Sequence, residues 1–407
     1  MAGKEINALY ISYDGALDPL GRSQIVPYLI GLSSKGGGFT LLSYEKKQRL
    51  AEVNEVNKLK DELKRHNIKW AMLRYHKSPT IPATAFDIVA GIIYGLIIVV
   101  RDRIKIIHAR SFVGAIPAFF LVKLFRLKFI FDIRGFWPQE RVDAGLWKEG
   151  GLLFKIAKFF EKKFILSSDR MVVLTLKAKE ILEKQYLNRI KSPIEIIPTC
   201  VDLGLFVQGA KDKYITEQIN KAGRFILAYL GSLGTWYCLE EMIDFFKIAK
   251  QKISNAYFIF LTPGESKEVD RLIISRGLSS EDFLVRSVYY RDVPRWLSVC
   301  EATILFIKPL LSKKSSCPTK FAESLACGIP VIMNSGVGDC DRIITDTGAG
   351  VLVDNFSQAS YAAVIDKILM LAGNRPKAQK TCRQVAERFF SLEDAVAKYN
   401  NIYQSLQ

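Results

Sequence analysis

Histidine and paired cysteines are scarce in this sequence. Its 407 residues include three histidines (His66, His76 and His108) and seven cysteines, none of them in a C-x-x-C pair. So few histidines exclude a His-rich metal centre, and an odd, widely spaced set of cysteines argues against a disulfide framework or a zinc site. No D-x-D motif directly follows a predicted strand either. We therefore expect a cytoplasmic protein that holds no metal.

Long apolar runs are also few. The N-terminal sequence lacks the apolar core of a signal peptide and predicts a strand directly. The most apolar stretch, residues 85–100, falls short of the roughly 20 apolar residues that cross a bilayer, and Asp87 interrupts its start. We expect a buried or interfacial helix here. Because Arg101 and Arg103 follow it, a peripheral contact with an anionic membrane surface, on the inner face, is an alternative.

Acidic residues are outnumbered, with 58 Lys and Arg against 41 Asp and Glu. Residues 1–200 hold 33 of the basic and 19 of the acidic side chains, which leaves only +3 of the +17 net charge to the remainder. A basic half attracts nucleic acid, acidic lipid or a phosphorylated substrate, although a merely solvated basic face is equally compatible with this count. The sequence contains no RNP, zinc-finger or KH signature, so we expect no nucleic-acid partner.

Strand and helix patterns alternate through the first half. A strand at residues 8–12, a glycine-containing loop at 14–21 and a helix at 24–32 resemble a phosphate-binding unit, although G-x-G-x-x-G is absent and an ordinary turn is the alternative. His108, Asp132 and Arg134 stand at or just after predicted strand ends, where doubly wound sheets bind ligands. Strands are predicted at residues 39–44, 70–73, 105–108, 128–131, 169–175 and 194–198.

The second half restarts the same pattern. A buried strand at residues 225–230 leads into the loop Gly-Ser-Leu-Gly-Thr at 231–235, and a helix follows at 239–250. Two glycines and two hydroxyls in such a loop form a candidate phosphate cradle. The repeated pattern predicts two α/β domains.

The most informative stretch runs from Ser315 to Asp339. Pro318 fits the first position of a helix that Gly328 ends, and a buried strand and a glycine loop follow. Lys320 and Glu323 lie one turn apart on the same side of this helix. Because a helix N-terminus attracts anions, the arrangement predicts a site for a diphosphate and a ribose, although a helix of this kind is common.

The letters PTKFAESLACGIPVI resemble the donor-binding signature of retaining GT-B glycosyltransferases, in the GT4-like glycosyltransferase group 1 family. The resemblance implies an α/β fold of the GT-B class, with two Rossmann-like doubly wound domains facing a cleft. Residues 1–200 would form the acceptor-binding domain and residues 201–385 the nucleotide-sugar domain. Residues 386–407 would be a helix that crosses back to the first domain.

The resemblance also implies roles for particular residues. Glu323 would bind the ribose, Lys320 the diphosphate, and Asp132 and Arg134 the acceptor or a phosphate. Glu323, Lys320, Asp132 and Arg134 are the candidate catalytic residues. The candidate donor-binding residues are Gly231, Ser232, Ser287, Lys308, Ser315, Pro318, Thr319, Gly336, Val337, Gly338 and Asp339. Gly21, Arg22 and His108 would form a phosphate or acceptor loop.

Three positions depart from the family pattern. Ser315 replaces the first glutamate of an E-x7-E pair, which in the family contacts the donor sugar. Thr235-Trp236-Tyr237 stands where many members carry an arginine and a lysine, so Lys308, Lys313 or Lys320 would supply that charge. Arg134 is the polar residue nearest to a strand end where members often keep a histidine.

The implied function is hexosyl transfer, with retention, from a nucleotide-diphosphate sugar to a hydroxyl of a lipid-linked or saccharide acceptor. UDP is the favoured nucleotide, no cofactor is needed, and bacterial surface polysaccharide or glycolipid assembly is the expected setting. A GT-B epimerase or hydrolase of nucleotide sugars would share the fold. A basic nucleic-acid-binding or membrane-binding protein without catalysis would share the charge but not the PTKFAESLACGIPVI stretch.

Overall fold

The structure is a computed structural model that describes residues 6–187, 189–219, 223–262 and 267–407. The described chain forms two compact units. The first contains residues up to Pro198 together with Leu392–Gln407, and the second is Thr199–Ser391. The sequence had suggested boundaries after residues 200 and 385.

Strands and helices alternate along the first unit, as the apolar patterning predicts. Its central strands are buried along most of their length, which is typical of a parallel sheet covered on both faces. The elements are β1 (Ile6–Ser12), α1 (Pro19–Gln24), α2 (Val26–Ser33), β2 (Gly37–Glu45), α3 (Lys47–Leu50), α4 (Val53–Arg65), β3 (Ile68–Arg74), α5 (Thr80–Arg101), β4 (Ile106–Arg110), α6 (Ser111–Phe125), β5 (Lys128–Ile133), α7 (Trp137–Asp143), α8 (Leu152–Ser167), β6 (Arg170–Val173), α9 (Leu176–Tyr186) and β7 (Ile194–Ile196).

The second unit repeats this alternation. Its elements are α10 (Lys213–Gln218), β8 (Phe225–Leu230), α11 (Leu239–Lys252), β9 (Ala256–Leu261), α12 (Lys267–Ser275), β10 (Phe283–Arg286), α13 (Val293–Ser298), β11 (Ala302–Leu305), α14 (Thr319–Ala326), β12 (Val331–Asn334), α15 (Cys340–Thr347), β13 (Gly350–Val353), α16 (Gln358–Gly373) and α17 (Arg375–Phe390). A last helix, α18 (Leu392–Gln404), belongs to the first unit, where it packs against α2.

Each unit has one parallel sheet among its described residues. The strand order is β3-β2-β1-β4-β5-β6-β7 in the first and β10-β9-β8-β11-β12-β13 in the second. In both sheets the order reverses beside the first strand of the unit, so the loops after β1 and β8 lie at the switch points where doubly wound folds bind ligands. The predicted pair of Rossmann-like domains is confirmed.

Several local predictions are corrected by the structure. The helix predicted at residues 24–32 corresponds to α2, Val26–Ser33, but a separate helix, α1, precedes it, so Gly21 lies within α1 and not in a loop. Pro318 is the N-cap of α14 and not its first helical residue. α5 begins at Thr80, earlier than predicted, and by length and mean hydropathy (2.3) it could cross a membrane, with 33% of the apolar window buried.

Candidate functional site

The lysine and glutamate of α14 lie in an aromatic pocket of the second unit. Lys320 Nζ lies 3.6 Å from the centroid of the Tyr237 ring and donates a hydrogen bond of 3.2 Å to the Tyr229 hydroxyl. A cation over an aromatic face is stabilised by the ring quadrupole. Burial nevertheless lowers the pKa of Lys320 to about 7, against the attraction of Glu323. Tyr229 and Tyr237 therefore hold the Lys320 side chain in place.

Glu323 is buried on the same helix. Glu323 is 7% exposed. Burial raises the pKa of Glu323 to about 7, although the Tyr290 hydroxyl and Lys320 both favour the carboxylate form. An isolated carboxylate avoids such a position, because burying a charge without full hydrogen bonding is costly. A strongly perturbed carboxyl at a sheet edge marks a candidate functional site.

The loop after β8 passes directly beneath Lys320. Gly231 has φ +102°, a backbone conformation that favours glycine, and a Cβ at this position would stand 2.1 Å from Lys320 Cε and would displace the lysine side chain. The loop is fixed by the Tyr229 hydroxyl, which donates a 2.7 Å hydrogen bond to the Ser232 carbonyl. The structure therefore brings together Gly231, Ser232 and Lys320, three of the residues predicted to bind a diphosphate.

Two lysines from distant parts of the chain stack on the aromatic residues after this loop. Lys313 Nζ lies 3.8 Å from the centroid of the Trp236 ring. Lys320 Nζ makes the same kind of cation–π contact with the Tyr237 ring, at 3.6 Å. The exposed Lys308 is adjacent, because its N–H donates to the Trp236 carbonyl at 2.9 Å. Trp236 and Tyr237 thus gather cations at the positions where the family pattern would place an arginine and a lysine.

Ser315 and the loop after β12 are fixed by contacts within this unit. Ser315 is buried, and its hydroxyl donates to the Ser312 carbonyl at 2.7 Å. The Gly336 N–H donates to Asp341 Oδ2 at 3.0 Å, and the Gly338 N–H donates to the Lys313 carbonyl at 2.9 Å. The loop predicted to bind the donor sugar therefore lies against the turn that carries Lys313.

The remaining predicted donor residues are placed by their elements. Pro318 and Thr319 cap and begin α14, Val337 is fully buried, and Asp339 is the N-cap of α15. Ser287 directly follows β10 and is exposed.

In the first unit, Asp132 is the centre of a buried cluster. It is 0% exposed and accepts a hydrogen bond of 3.0 Å from the Tyr399 hydroxyl, while Arg134 Nη1 and Arg110 Nη1 lie 3.4 and 3.8 Å from its oxygens. Burial opposes ionisation, but Arg134, His108 and Arg110 together hold the pKa of Asp132 well below its usual range. Asp132 therefore serves as the buried counter-ion of this cluster.

His108 and Arg22 do not stand where the sequence placed them. His108 lies in the middle of β4, is 1% exposed, and shares a hydrogen bond of 2.7 Å with the Tyr403 hydroxyl, so it belongs to no loop. Burial lowers the pKa of His108. Arg22 Nη1 lies 2.9 Å from Glu62 Oε2 in an ion pair, and Gly21 packs against the backbone of Gly15. Gly21 and Arg22 thus lie in α1 and His108 in β4, so the three residues do not form one loop, and their role in binding a phosphate or acceptor stays a prediction.

The sequence analysis assigned no role to a second histidine, His76. His76 Nδ1 lies 2.6 Å from Asp87 Oδ1, and the Tyr13 hydroxyl donates to Asp87 Oδ2 at 2.9 Å. Asp87 is 1% exposed, while the His76 side chain is 34% exposed. Tyr13 and His76 follow β1 and β3, so the dyad lies at the carboxyl edge of the sheet, where ligands bind in such folds. Within the described residues, no group of three or more His, Cys, Asp and Glu could hold a metal ion.

Comparisons with known proteins agree with this architecture. Residues 211–388 match the family described as "Glycosyl transferases group 1". Sucrose-phosphate synthase from Thermosynechococcus elongatus is similar in structure, with a TM-score of 0.74, 13% identity and 99% of each chain covered. Anabaena HepE in complex with UDP and glucose is similar with a TM-score of 0.72 and 13% identity, and the match covers 99% of this chain and 100% of that one.

The glycosyltransferase WaaG, involved in lipopolysaccharide biosynthesis, gives a TM-score of 0.67 and 14% identity, over 97% of this chain and 99% of that one. At these identities the likeness establishes the fold, which is GT-B. A search of the curated proteins finds no match.

Proposed function

We propose that the protein is a retaining glycosyltransferase, because residues 211–388 match the family described as glycosyl transferases group 1. It moves a hexosyl group from a nucleotide-diphosphate sugar to a hydroxyl of a lipid-linked or saccharide acceptor. UDP is the preferred nucleotide, in keeping with the UDP and glucose held by Anabaena HepE. The setting is the cytoplasm, in bacterial surface polysaccharide or glycolipid assembly, and neither a metal nor a cofactor is used.

The observation that carries the proposal is the placement of Lys320 and Glu323 around the loop after β8. One turn of α14 presents a cation and a carboxylate, and Lys320 lies over Gly231. A diphosphate needs positive charge and backbone N–H groups, and a ribose needs a carboxylate to accept from its two hydroxyls. Lys320 supplies the positive charge, the loop at Gly231 supplies backbone N–H groups, and Glu323 supplies the carboxylate.

Lys320 has the larger part in the proposed reaction. As the bond between the sugar and the diphosphate breaks, negative charge accumulates on the departing phosphate oxygen. A partly buried ammonium stabilises that charge more than water would, because few solvent dipoles screen it. The acceptor oxygen bonds to the anomeric carbon on the face from which the phosphate leaves, and the departing phosphate oxygen takes the proton of that hydroxyl. Configuration is therefore retained without an enzymic nucleophile.

Glu323 has an orienting role. Two ribose hydroxyls that donate to its carboxylate would supply the hydrogen bonds that the buried charge lacks. The pKa of Glu323, raised to about 7 by burial, would then fall on binding, since hydrogen bonding to the charged form favours it. The same interaction fixes the nucleotide along α14, which sets the position of the diphosphate above Lys320.

Calorimetry with a panel of nucleotides and nucleotide sugars tests the proposal. We expect one nucleotide series to bind selectively, and Glu323→Ala to weaken it by about 1.5–3 kcal/mol, roughly ten- to a hundredfold. Glu217→Ala, an exposed glutamate on α10, is the matched control and should bind like the wild type. A folded wild-type protein that binds no nucleotide would overturn the proposal.

Turnover distinguishes the enzymes that share this fold. A transferase releases nucleoside diphosphate from its donor in step with the acceptor that it modifies. Release of free sugar without an acceptor would assign a hydrolase, and a change of configuration in the intact nucleotide sugar would assign an epimerase.

A further inference from the structure

Three helices form one layer on the first unit's sheet. α6 packs against both α5 and α8, and it covers β1, β4 and β5, while α5 covers β2 and β3. The helices are joined by side chains that leave little space, since a Cβ on Gly95 of α5 would stand 2.5 Å from Leu121 of α6. Phe119 of α6 and Phe164 of α8 lie with ring centroids 5.6 Å apart.

The outer side of this layer is apolar. On α5, the exposed side chains follow a helical repeat of three to four residues, and Phe86, Ile93 and Val100 are 61%, 51% and 66% exposed. α6 and α8 extend the surface, which we name the apolar helix face. Its large exposed side chains are Ile81, Phe86, Val89, Ile93, Tyr94, Ile97 and Val100 on α5, Phe120, Leu124 and Phe125 on α6, and Leu152, Leu153, Ile156, Phe159 and Leu166 on α8.

Every exposed charge on these three helices is positive. Their two carboxylates are Asp87 and Glu161, and both are buried, Glu161 in an ion pair with Lys158. The exposed cations are Arg101, which forms an ion pair with Asp102, and Lys123, Lys155, Lys162 and Lys163. A soluble protein seldom leaves so many large apolar side chains together on its surface, so this face requires a partner.

We propose that the apolar helix face docks the protein on an anionic lipid bilayer. Helices with apolar side chains outward and lysines beside them lie in the headgroup region, where the chains enter the acyl boundary and the ammonium groups meet lipid phosphates. The proposal does not depend on the transferase activity, because it rests on none of the residues assigned to donor binding.

α5 binds the surface from the side and does not cross the bilayer. Its inner side is part of the first unit: Asp87 accepts from Tyr13, the Asp87 carbonyl accepts from the Tyr44 hydroxyl at 2.9 Å, and Gly91 lies beneath Tyr44. Insertion across the membrane would break these contacts and bury the Asp87 carboxylate in hydrocarbon. A helix of 22 residues lying flat offers a strip about 33 Å long.

Charge selects lipid over the other occupants. A second copy of the chain would bring two basic faces together, and like charges at an interface oppose association. A nucleic acid would neutralise the lysines but would leave the apolar side chains of α5 in water. An anionic bilayer covers both kinds of side chain at once.

Vesicle flotation with the full chain tests the proposal. We expect the protein to float with vesicles of equimolar phosphatidylcholine and phosphatidylglycerol and much less with phosphatidylcholine alone. Replacing Ile93 and Ile97 by Gln should reduce binding roughly tenfold, because two apolar chains leave the acyl boundary. Replacing Lys155 and Lys162 by Gln should reduce binding about fivefold for each lysine.

Matched controls lie in the second unit. Met370→Gln with Ile274→Gln removes two exposed apolar side chains, and Lys377→Gln with Lys380→Gln removes two exposed lysines. Both pairs should float like the wild type. Failure of the wild type to float, equal binding by face and control variants, or a dimer in solution that the α5 variant dissociates would each overturn the proposal.

Discussion

The Tyr399 hydroxyl donates a hydrogen bond of 3.0 Å to Asp132 Oδ2, across 267 residues of sequence. The bond connects α18 to β5, and Tyr403 makes a similar one to His108 one turn later. Two tyrosine hydroxyls of α18 therefore form hydrogen bonds with buried polar side chains of the first sheet.

Tyr399→Phe should destabilise the first unit by about 1–3 kcal/mol, because a buried carboxylate loses a donor and keeps its charge. Hydrogen exchange measured by mass spectrometry would locate the effect, with faster exchange in β5 and α18. Tyr289→Phe, at a position 84% exposed in the second unit, is the control. Unchanged exchange in β5 would show that the hydrogen bond contributes little.

Gly231→Ala should abolish nucleotide binding while the second unit remains folded. A side chain there meets the Lys320 stem and needs a left-handed backbone, a strain of about 1–2 kcal/mol. Relief of that strain displaces the ammonium from its place above the loop. Gly234→Ala, in the same loop with open space around it and no positive φ, should bind normally. Equal affinities of the two variants would separate Lys320 from the diphosphate site.

Glu323→Gln should raise the melting temperature of the ligand-free protein at neutral pH. The pKa of Glu323 is about 7 in the folded protein and close to 4.5 when unfolded, so the folded state binds the proton more tightly. The wild type therefore loses stability as pH rises from 4.5 to 7, whereas the variant does not. The difference in melting temperature should grow over that window, at about 2–4 °C per kcal/mol, and then level off. A constant difference from pH 4.5 to 8 would contradict the raised pKa.

Lys320→Met should show the opposite dependence. The pKa of Lys320 falls to about 7 on folding from an ordinary value of 10.5, so the folded state binds this proton more weakly. The loss of folding stability caused by burying the charged Lys320 is greatest below pH 7 and disappears as pH rises towards 10.5. The variant should therefore gain most over the wild type in acid and least in alkali, and it should bind nucleoside diphosphate weakly at every pH. Lys377→Met, exposed on α17, controls for the loss of one charge.

Local sequence patterns predicted the features of the fold that depend on residues close together in the chain. The turn of α14 that carries Lys320 and Glu323, the loop after β8 and most strands follow from periodicity, capping and glycine placement within short windows. The confirmed GT-B fold was implied by the resemblance of the PTKFAESLACGIPVI stretch.

Contacts between distant residues could not be predicted in this way. Tyr229 and Tyr237 around Lys320, the ion pair of Arg22 with Glu62, and the bond between His108 and Tyr403 all join residues that only the tertiary fold brings together. His108 was misplaced because the strand end was set two residues too early. The Lys313 stack on Trp236 shows how an aromatic residue can recruit a cation that the local sequence lacks.

The division of the first unit between residues 6–198 and 392–407 has a consequence for synthesis. A ribosome adds all of the second unit before it makes α18, so the second unit can finish folding while the first still lacks the helix that supplies Tyr399 and Tyr403. Until then the Asp132 and His108 side chains lack these two hydroxyl partners. The emerging chain thus completes its first-made domain last, and a chain that stops before residue 392 would lack both hydroxyl partners.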